Sequence, residues 1–172
     1  QATTRMIVDG GYLNVGKYSA IGACCTIIPA NHIPTVGLPQ FLSYLHINDN
    51  TRTISIAEDC WIGAGSWLLY KSEIGRGAVI GACSVVTKYI PPYAVVSNKT
   101  KKIIATRFTI EQIMEHEAIL YPPQERMSRE ELKSIFSQYY EGKRSIGTSN
   151  ITPEDLQKLN SEKQRRGIAI YE

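Results

Sequence analysis

The sequence predicts an all-β parallel β-helix built from six-residue repeats, followed by a C-terminal α-helical extension. Three observations predict it. An aliphatic residue recurs every six positions, a small residue follows it four places later, and beyond about residue 104 the pattern gives way to helix caps and helical spacing. The main run is Ile56, Ile62, Leu68, Ile74, Ile80 and Val86, with Cys60, Ser66, Ser72, Ala78, Ser84 and then Ile90 at the small position. A period of six fits neither a 3.6-residue helix nor the alternation of long strands. It fits a solenoid in which each hexapeptide forms one short face and three form a coil. Parallel strands stack about 4.8 Å apart, so residues eighteen positions apart should lie over one another, Ile56 beneath Ile74 and Ile62 beneath Ile80.

An earlier run obeys the same rule, with Val15, Ile21 and Ile27 followed by Ser19, Cys25 and Asn31. The narrow interior explains Ser, Ala and Cys at the small positions, because a large residue there would not fit. Glycine follows the aliphatic residue at 16, 22, 63, 75 and 81, where the bend between short strands is expected to need a residue without Cβ.

From His32 to Thr53 the rule breaks for more than twenty residues, too long for an idle connection. The excursion holds two of the three histidines, His32 and His46, with the apolar Phe41, Tyr44 and Leu45, and is expected to pack against a neighbouring subunit.

The chain is 43% apolar and 20% charged, long enough to bury a core, with no apolar run that could span a membrane and no signal-like leader. A cytoplasmic protein without nucleic-acid or membrane partners is expected. The positive surplus lies in residues 1–104, which carry nine Lys/Arg against five Asp/Glu. Cys24, Cys25, Cys60 and Cys83 have no CxxC spacing, so no metal site or disulfide framework is expected, and all four are read as small buried thiols.

Residues 58–96, EDCWIGAGSWLLYKSEIGRGAVIGACSVVTKYIPPYAVV, resemble the hexapeptide-repeat acyltransferase superfamily, and PANHIPTVGLPQF at 29–41 resembles the Asn-His then Pro-x-Phe loop of its xenobiotic acetyltransferase and sugar O-acetyltransferase branch. The resemblance covers about residues 10–120. It implies a left-handed parallel β-helix over residues 1–104, acetyl-CoA as co-substrate with no metal, and a homotrimer with active sites between subunits. It also implies His32 as catalytic base, with Asn31 and Phe41 beside the acceptor. Trp61, at the Trp-Ile-Gly position, lines the acceptor or pantetheine cleft or else forms an outward aromatic at a subunit contact. Gly65, Ala82, Thr87, Lys88 and Lys102 are the implied coenzyme contacts. The sequence departs from the family where Gly-Asn-Pro-Ala-Lys would follow PPYA: Asn98-Lys99-Thr100-Lys101-Lys102 stands there, and Asn98 is expected to supply the left-handed turn.

Acetyl transfer to a hydroxyl needs a base, because a neutral alcohol is a poor nucleophile. Imidazole, with an unperturbed pKa near 6.5, suits this at neutral pH, and a positioned base contributes roughly 10²- to 10⁴-fold. No nucleophile elbow is present, which favours direct attack over an acyl-enzyme. A sugar or surface-polysaccharide hydroxyl is the leading acceptor. A chloramphenicol- or streptogramin-type antibiotic is the alternative, and a non-catalytic binding scaffold a third reading. His46 is the reserve base, and His116 reads as a surface or packing residue.

In 105–172, Ser128 and Glu131 form a capping box for one helix, Thr152-Pro153 opens another that Gly167 ends, and a helix from about Thr109 precedes both. Residues 143–151 read as a linker.

Overall fold

In a computed structural model, residues 5–6, 11–41, 50–51, 53–98 and 102–167 are described. The chain divides into two compact units, residues 1–107 and 108–172.

The first unit is a coil of short strands that passes in turn through three sheets. The first sheet contains β2 (Tyr12–Val15), β7 (Thr53–Ile56), β10 (Glu73–Ile74) and β13 (Tyr89–Ile90), all parallel. The second contains β3 (Ala20–Ile21), β8 (Trp61–Ile62), β11 (Val79–Ile80) and β14 (Ala94–Ser97), with β15 (Lys102–Thr106) antiparallel at its edge. The third contains β1 (Arg5–Met6), β4 (Thr26–Ile28), β9 (Trp67–Leu69) and β12 (Val85–Val86).

The stacking registers are those the period predicts. Ile56 pairs with Ile74 and Ile62 with Ile80. These residues, with Leu68 and Val86, are buried, and so are Cys60, Ser66, Ser72, Ala78 and Ser84. Each buried aliphatic side chain contributes about 1.5–3 kcal/mol. The column opens at its N-terminal end, where Val15, registered under Ile56, is 46% exposed.

The small positions also tie successive coils together. Ser19 Oγ donates to Ala57 O (2.7 Å), Cys25 Sγ to Gly63 O (3.3 Å), Cys60 Sγ to Gly75 O (3.2 Å), Ser66 Oγ to Gly81 O (3.3 Å) and Ser72 Oγ to Val86 O (2.8 Å). A hydroxyl or thiol there fills a narrow space and satisfies a backbone carbonyl of the next coil, which an alanine could not do.

Several sequence expectations change. Ile90 registers with Ile74, an aliphatic position, because the last coil is two residues shorter between Val86 and Ile90 than the coil beneath it. Asn31 is exposed and lies outside the coil, in β5 (Ala30–Asn31), which pairs antiparallel with β6 (Asn50–Thr51). The left-handed residues of the corners are not the glycines after the aliphatic residue but the residues three places on: Tyr18, Cys24, Asp59, Gly65, Lys71, Gly77, Cys83 and Tyr93. Gly63 is small for another reason: a Cβ there would lie 2.4 Å from Ala82 N of the next coil. Cys24 and Cys83 occupy those outward corner apices and are exposed, whereas Cys25 and Cys60 are buried. Asn98, expected to supply a left-handed turn, is not among the residues with positive φ.

The second unit holds α1 (Ile110–Leu120), α2 (Arg129–Tyr139) and α3 (Pro153–Arg166). Thr109 and Gln112 form a full capping box on α1, Ser128 Oγ accepts from Glu131 N, and Thr152 caps α3, which ends at the left-handed Gly167. Glu117, buried on α1, accepts from Met127 N (2.6 Å), closing the turn into α2. The segment read as a linker lies along α1: Gln112 Nε2 donates to Ser149 Oγ (3.2 Å) and Ser145 Oγ to Gln112 Oε1 (3.5 Å). Among the described residues no helix is long and apolar enough to cross a membrane.

Candidate active site

The corners of the coil form three edges, and the candidate residues divide between two of them. The edge between the third and first sheets carries the excursion after Ile28, then Tyr70-Lys71, then Thr87-Lys88. The edge between the second and third sheets carries Gly65 and Ala82, where Cys83 N donates to Ala64 O and Gly65 N to Ala23 O.

His32 follows directly on the two-residue ladder of β5 and β6, in which Asn31 pairs with Asn50. This neck fixes where the excursion leaves the coil and sets an exposed imidazole at its mouth. The chain then turns at Val36-Gly37, where Leu38 N donates to Thr35 O (3.0 Å). Phe41, also on the excursion, is 77% exposed. His46, Tyr44 and Leu45 lie outside the described residues, as do Lys99, Thr100 and Lys101.

Thr87 and Lys88 are brought together in a cavity of about 210 Å³ at the C-terminal end of the stack, with Val86, Ile90, Ser97 and Asn98. The short last coil accounts for it: removing two residues at this corner draws the chain in and leaves a recess beside Val96 and Ser97. Lys102 begins β15 opposite Ser97 and is exposed, but is not among the residues that line the recess. Apolar Val86, Ile90 and Val96, the hydroxyl and amide groups of Thr87, Ser97 and Asn98, and the Lys88 cation suit an anionic ligand with an apolar portion. Sequence reasoning missed Ser97 and Asn98 as lining residues, because their contribution depends on the two-residue contraction.

Trp61 points outward from the second sheet and is 61% exposed. Its stack neighbours there are Ala20 and Val79. Trp67, which sequence reasoning passed over, points outward from the third sheet beside Thr26 and Val85. The first sheet instead presents Asn14, Ser55, Glu73 and Tyr89. The outer stacks of the second and third sheets are therefore mostly apolar, while that of the first mixes polar residues with the exposed Tyr89.

His116 packs on Phe108, ring centroids 5.0 Å apart. Among the described residues no cluster of His, Cys, Asp and Glu could hold a metal ion.

The family Bacterial transferase hexapeptide (six repeats) matches residues 53–88. A chloramphenicol acetyltransferase of Klebsiella aerogenes is 41% identical over 75 residues, covering 44% of this chain and 36% of that protein. A galactoside O-acetyltransferase of Lactococcus lactis is 34% identical over 85 residues, covering 49% and 39%. The chain thus spans well under half the length of these curated relatives. Among solved structures, a mutant of AntD, an N-acyltransferase from Bacillus cereus in complex with dTDP and coenzyme A, shares the fold with TM-score 0.52, 19% identity and coverage of 67% of this chain and 63% of that one. The coil of residues 53–88, with its buried aliphatic columns and small-residue ties, is thus the part of the chain that is similar to bacterial transferase hexapeptide repeats.

Proposed function

We propose that the protein is an acetyl-CoA-dependent O-acetyltransferase with His32 as general base, acting on a sugar or surface-polysaccharide hydroxyl. The observation that carries the proposal is the sharing of one edge: the neck that presents His32 and the recess of Thr87 and Lys88 belong to the same corner of the coil, two rungs apart, about 10 Å along the stack. Coenzyme held at that recess and an acceptor held at the excursion would approach along that edge. A ring nitrogen of His32 takes the acceptor's hydroxyl proton as the oxygen bonds to the thioester carbon. The C–S bond then breaks, and the thiolate leaves with a proton returned by the imidazolium. Asn31 and Phe41 flank the acceptor, and Thr87, Lys88 and Lys102 meet the coenzyme's polar groups.

Gly65 and Ala82, on the other edge, take part only if the coenzyme reaches them across a subunit boundary. The two apolar outer faces support a closed trimer: the Trp67 face of one copy can meet the Trp61 face of the next, and three such heterologous contacts close a ring. A left-handed sense of coiling belongs to the same proposal.

The chloramphenicol acetyltransferase similarity favours a second reading, in which the same base and coenzyme serve an antibiotic hydroxyl. The experiment is thiol release from acetyl-CoA over a panel of sugars, oligosaccharides, chloramphenicol and streptogramins, with wild type and His32→Ala at matched coenzyme saturation. A loss of two orders of magnitude or more in the variant is expected. An unchanged rate on a good acceptor would remove His32 from the mechanism.

A further inference from the structure

The second unit contains a cleft that neither the repeats nor the transfer chemistry uses. Gln112, Glu115, His116 and Ile119 lie three, four and seven residues apart, which puts them on one stripe of α1. Residues 145–151 run beside that stripe, held by the two hydrogen bonds of Gln112 to Ser145 and Ser149. Between them a cavity of about 150 Å³ has a mixed lining, with Phe108, Ile119 and Ile151 apolar and Gln112, Glu115, His116, Thr148 and Ser149 polar. Ile119 is 47% and Ile151 61% exposed, so apolar surface is left uncovered. The Phe108 ring packs against His116, ring centroids 5.0 Å apart.

The chemistry of the lining narrows what could fill it. A wholly apolar ligand would strip water from the Glu115 carboxylate and the Thr148 and Ser149 hydroxyls without replacing their hydrogen bonds, which is costly. An anion would meet Glu115. A pyranose ring has the matching division: one face of C–H groups for Phe108, Ile119 and Ile151, and a rim of hydroxyls that can donate to Glu115 and exchange hydrogen bonds with Thr148 and Ser149.

We propose that this cleft is a second glycan-binding subsite, distinct from the transfer centre, that holds one sugar ring of a polymeric acceptor. The inference rests on the glycan-acceptor reading of the function and deepens it, since a free monosaccharide or a small antibiotic would gain nothing from it.

The test uses the full chain with β-1,4-galactotetraose as probe, and saturation-transfer NMR without coenzyme. Saturation is expected to reach the probe in wild type and in His32→Ala, and to weaken at least tenfold in Ile151→Glu, whose exposed position leaves the fold intact; Thr148→Trp, which fills the cleft from an exposed site, should do the same. In turnover, Ile151→Glu should raise KM for the tetraose about tenfold at unchanged kcat and leave galactose kinetics alone. Binding lost in His32→Ala but kept in both cleft variants, or no binding in wild type, overturns the subsite. Acetylation of the tetraose with no effect of the cleft variants also overturns it while the proposed function stands. Cleft-dependent binding without any thiol release keeps the subsite and overturns the function.

Discussion

Arg107 Nη1 lies 2.6 Å from Asp59 Oδ2 and also donates to Asp59 O (3.0 Å) and Gly77 O (3.4 Å), so one guanidinium holds the corners of two successive coils. Asp59 and Gly77 are both left-handed apices of the same edge, and Arg107 N donates to Tyr93 O, the apex of the next rung. The residue that follows β15 is thus a staple across three turns of the solenoid. Because both side chains of the pair are largely shielded, the interaction keeps more of its strength than a surface ion pair would.

Replacing Arg107 with Met should therefore destabilise the first unit by about 2–3 kcal/mol, through the loss of charge-assisted hydrogen bonds and the stranding of Asp59. Urea unfolding checks this, and Asp59→Asn, which keeps the backbone carbonyl bond, should cost less. A variant as stable as wild type would mean the three contacts carry no weight.

The left-handed glycines differ in what confines them. Gly77 has φ +69°, and a Cβ there would fall 2.4 Å from the Tyr93 ring; Gly142 has φ +67° with open space around it. Gly142→Ala should cost only the left-handed backbone term, about 1–2 kcal/mol. Gly77→Ala should cost that plus overpacking against a buried tyrosine, about 3–4 kcal/mol in total. Thermal unfolding of the two variants separates the terms, and equal losses would show that Tyr93 yields freely.

Cys60 supplies a pH signature. Burial pushes its thiol from an ordinary 9.0 to about 11, opposed in part by hydrogen bonds from the Ala78 backbone and the Ser19 side chain. The fold thus favours the protonated thiol. Below about pH 9 folded and unfolded states both hold the proton and its contribution is whole. Between about 9 and 11 the unfolded thiol ionises alone, and stability falls by an amount approaching about 2–3 kcal/mol. Comparison of urea midpoints for wild type and Cys60→Ser from pH 8 to 11 isolates this from other titrations; the serine variant should lose less. Cys24 and Cys83 should react with a thiol reagent at once in the native protein, and Cys25 and Cys60 only on unfolding.

The coil was legible because its period is its geometry: eighteen residues make one turn, so the columns of Ile56 and Ile74 or Ile62 and Ile80 follow from counting. The corner conformations were not, because a left-handed apex usually calls for Gly or Asn, and here Tyr18, Cys24, Asp59, Lys71, Cys83 and Tyr93 hold six of the eight places, with the N–H groups of Asp59, Cys83 and Tyr93 donating to the preceding coil. Arg107 gave no signal either, since its partner is 48 positions away and belongs to no motif. At the candidate site, His32, Thr87 and Lys88 came through the family resemblance, whereas the neck of β5 and β6 and the recess at Ser97 depend on pairings across 19 and 16 residues that no local pattern encodes.

The division of the outer faces leads to the remaining prediction. Trp61 and Trp67 stand on adjacent faces, each in a stack with small or aliphatic neighbours, while the third face shows Asn14, Ser55 and Glu73. Large exposed aromatic side chains of this kind are favoured at protein interfaces, and charged residues are depleted from interface cores. A carboxylate placed in either apolar stack should then be desolvated on association with no partner to meet it, at a cost of several kcal/mol per contact, enough to break a ring of three. If the proposed trimer forms, Trp67→Glu and Trp61→Glu are each expected to sediment as monomers at concentrations where wild type sediments with three times the monomer mass, with helix and strand content unchanged by circular dichroism. Glu73→Arg, on the polar face, should leave the wild-type mass. If both tryptophan variants keep the wild-type mass, the two apolar faces are not where copies meet, and a transfer site spanning Gly65 of one copy and His32 of the next loses its basis.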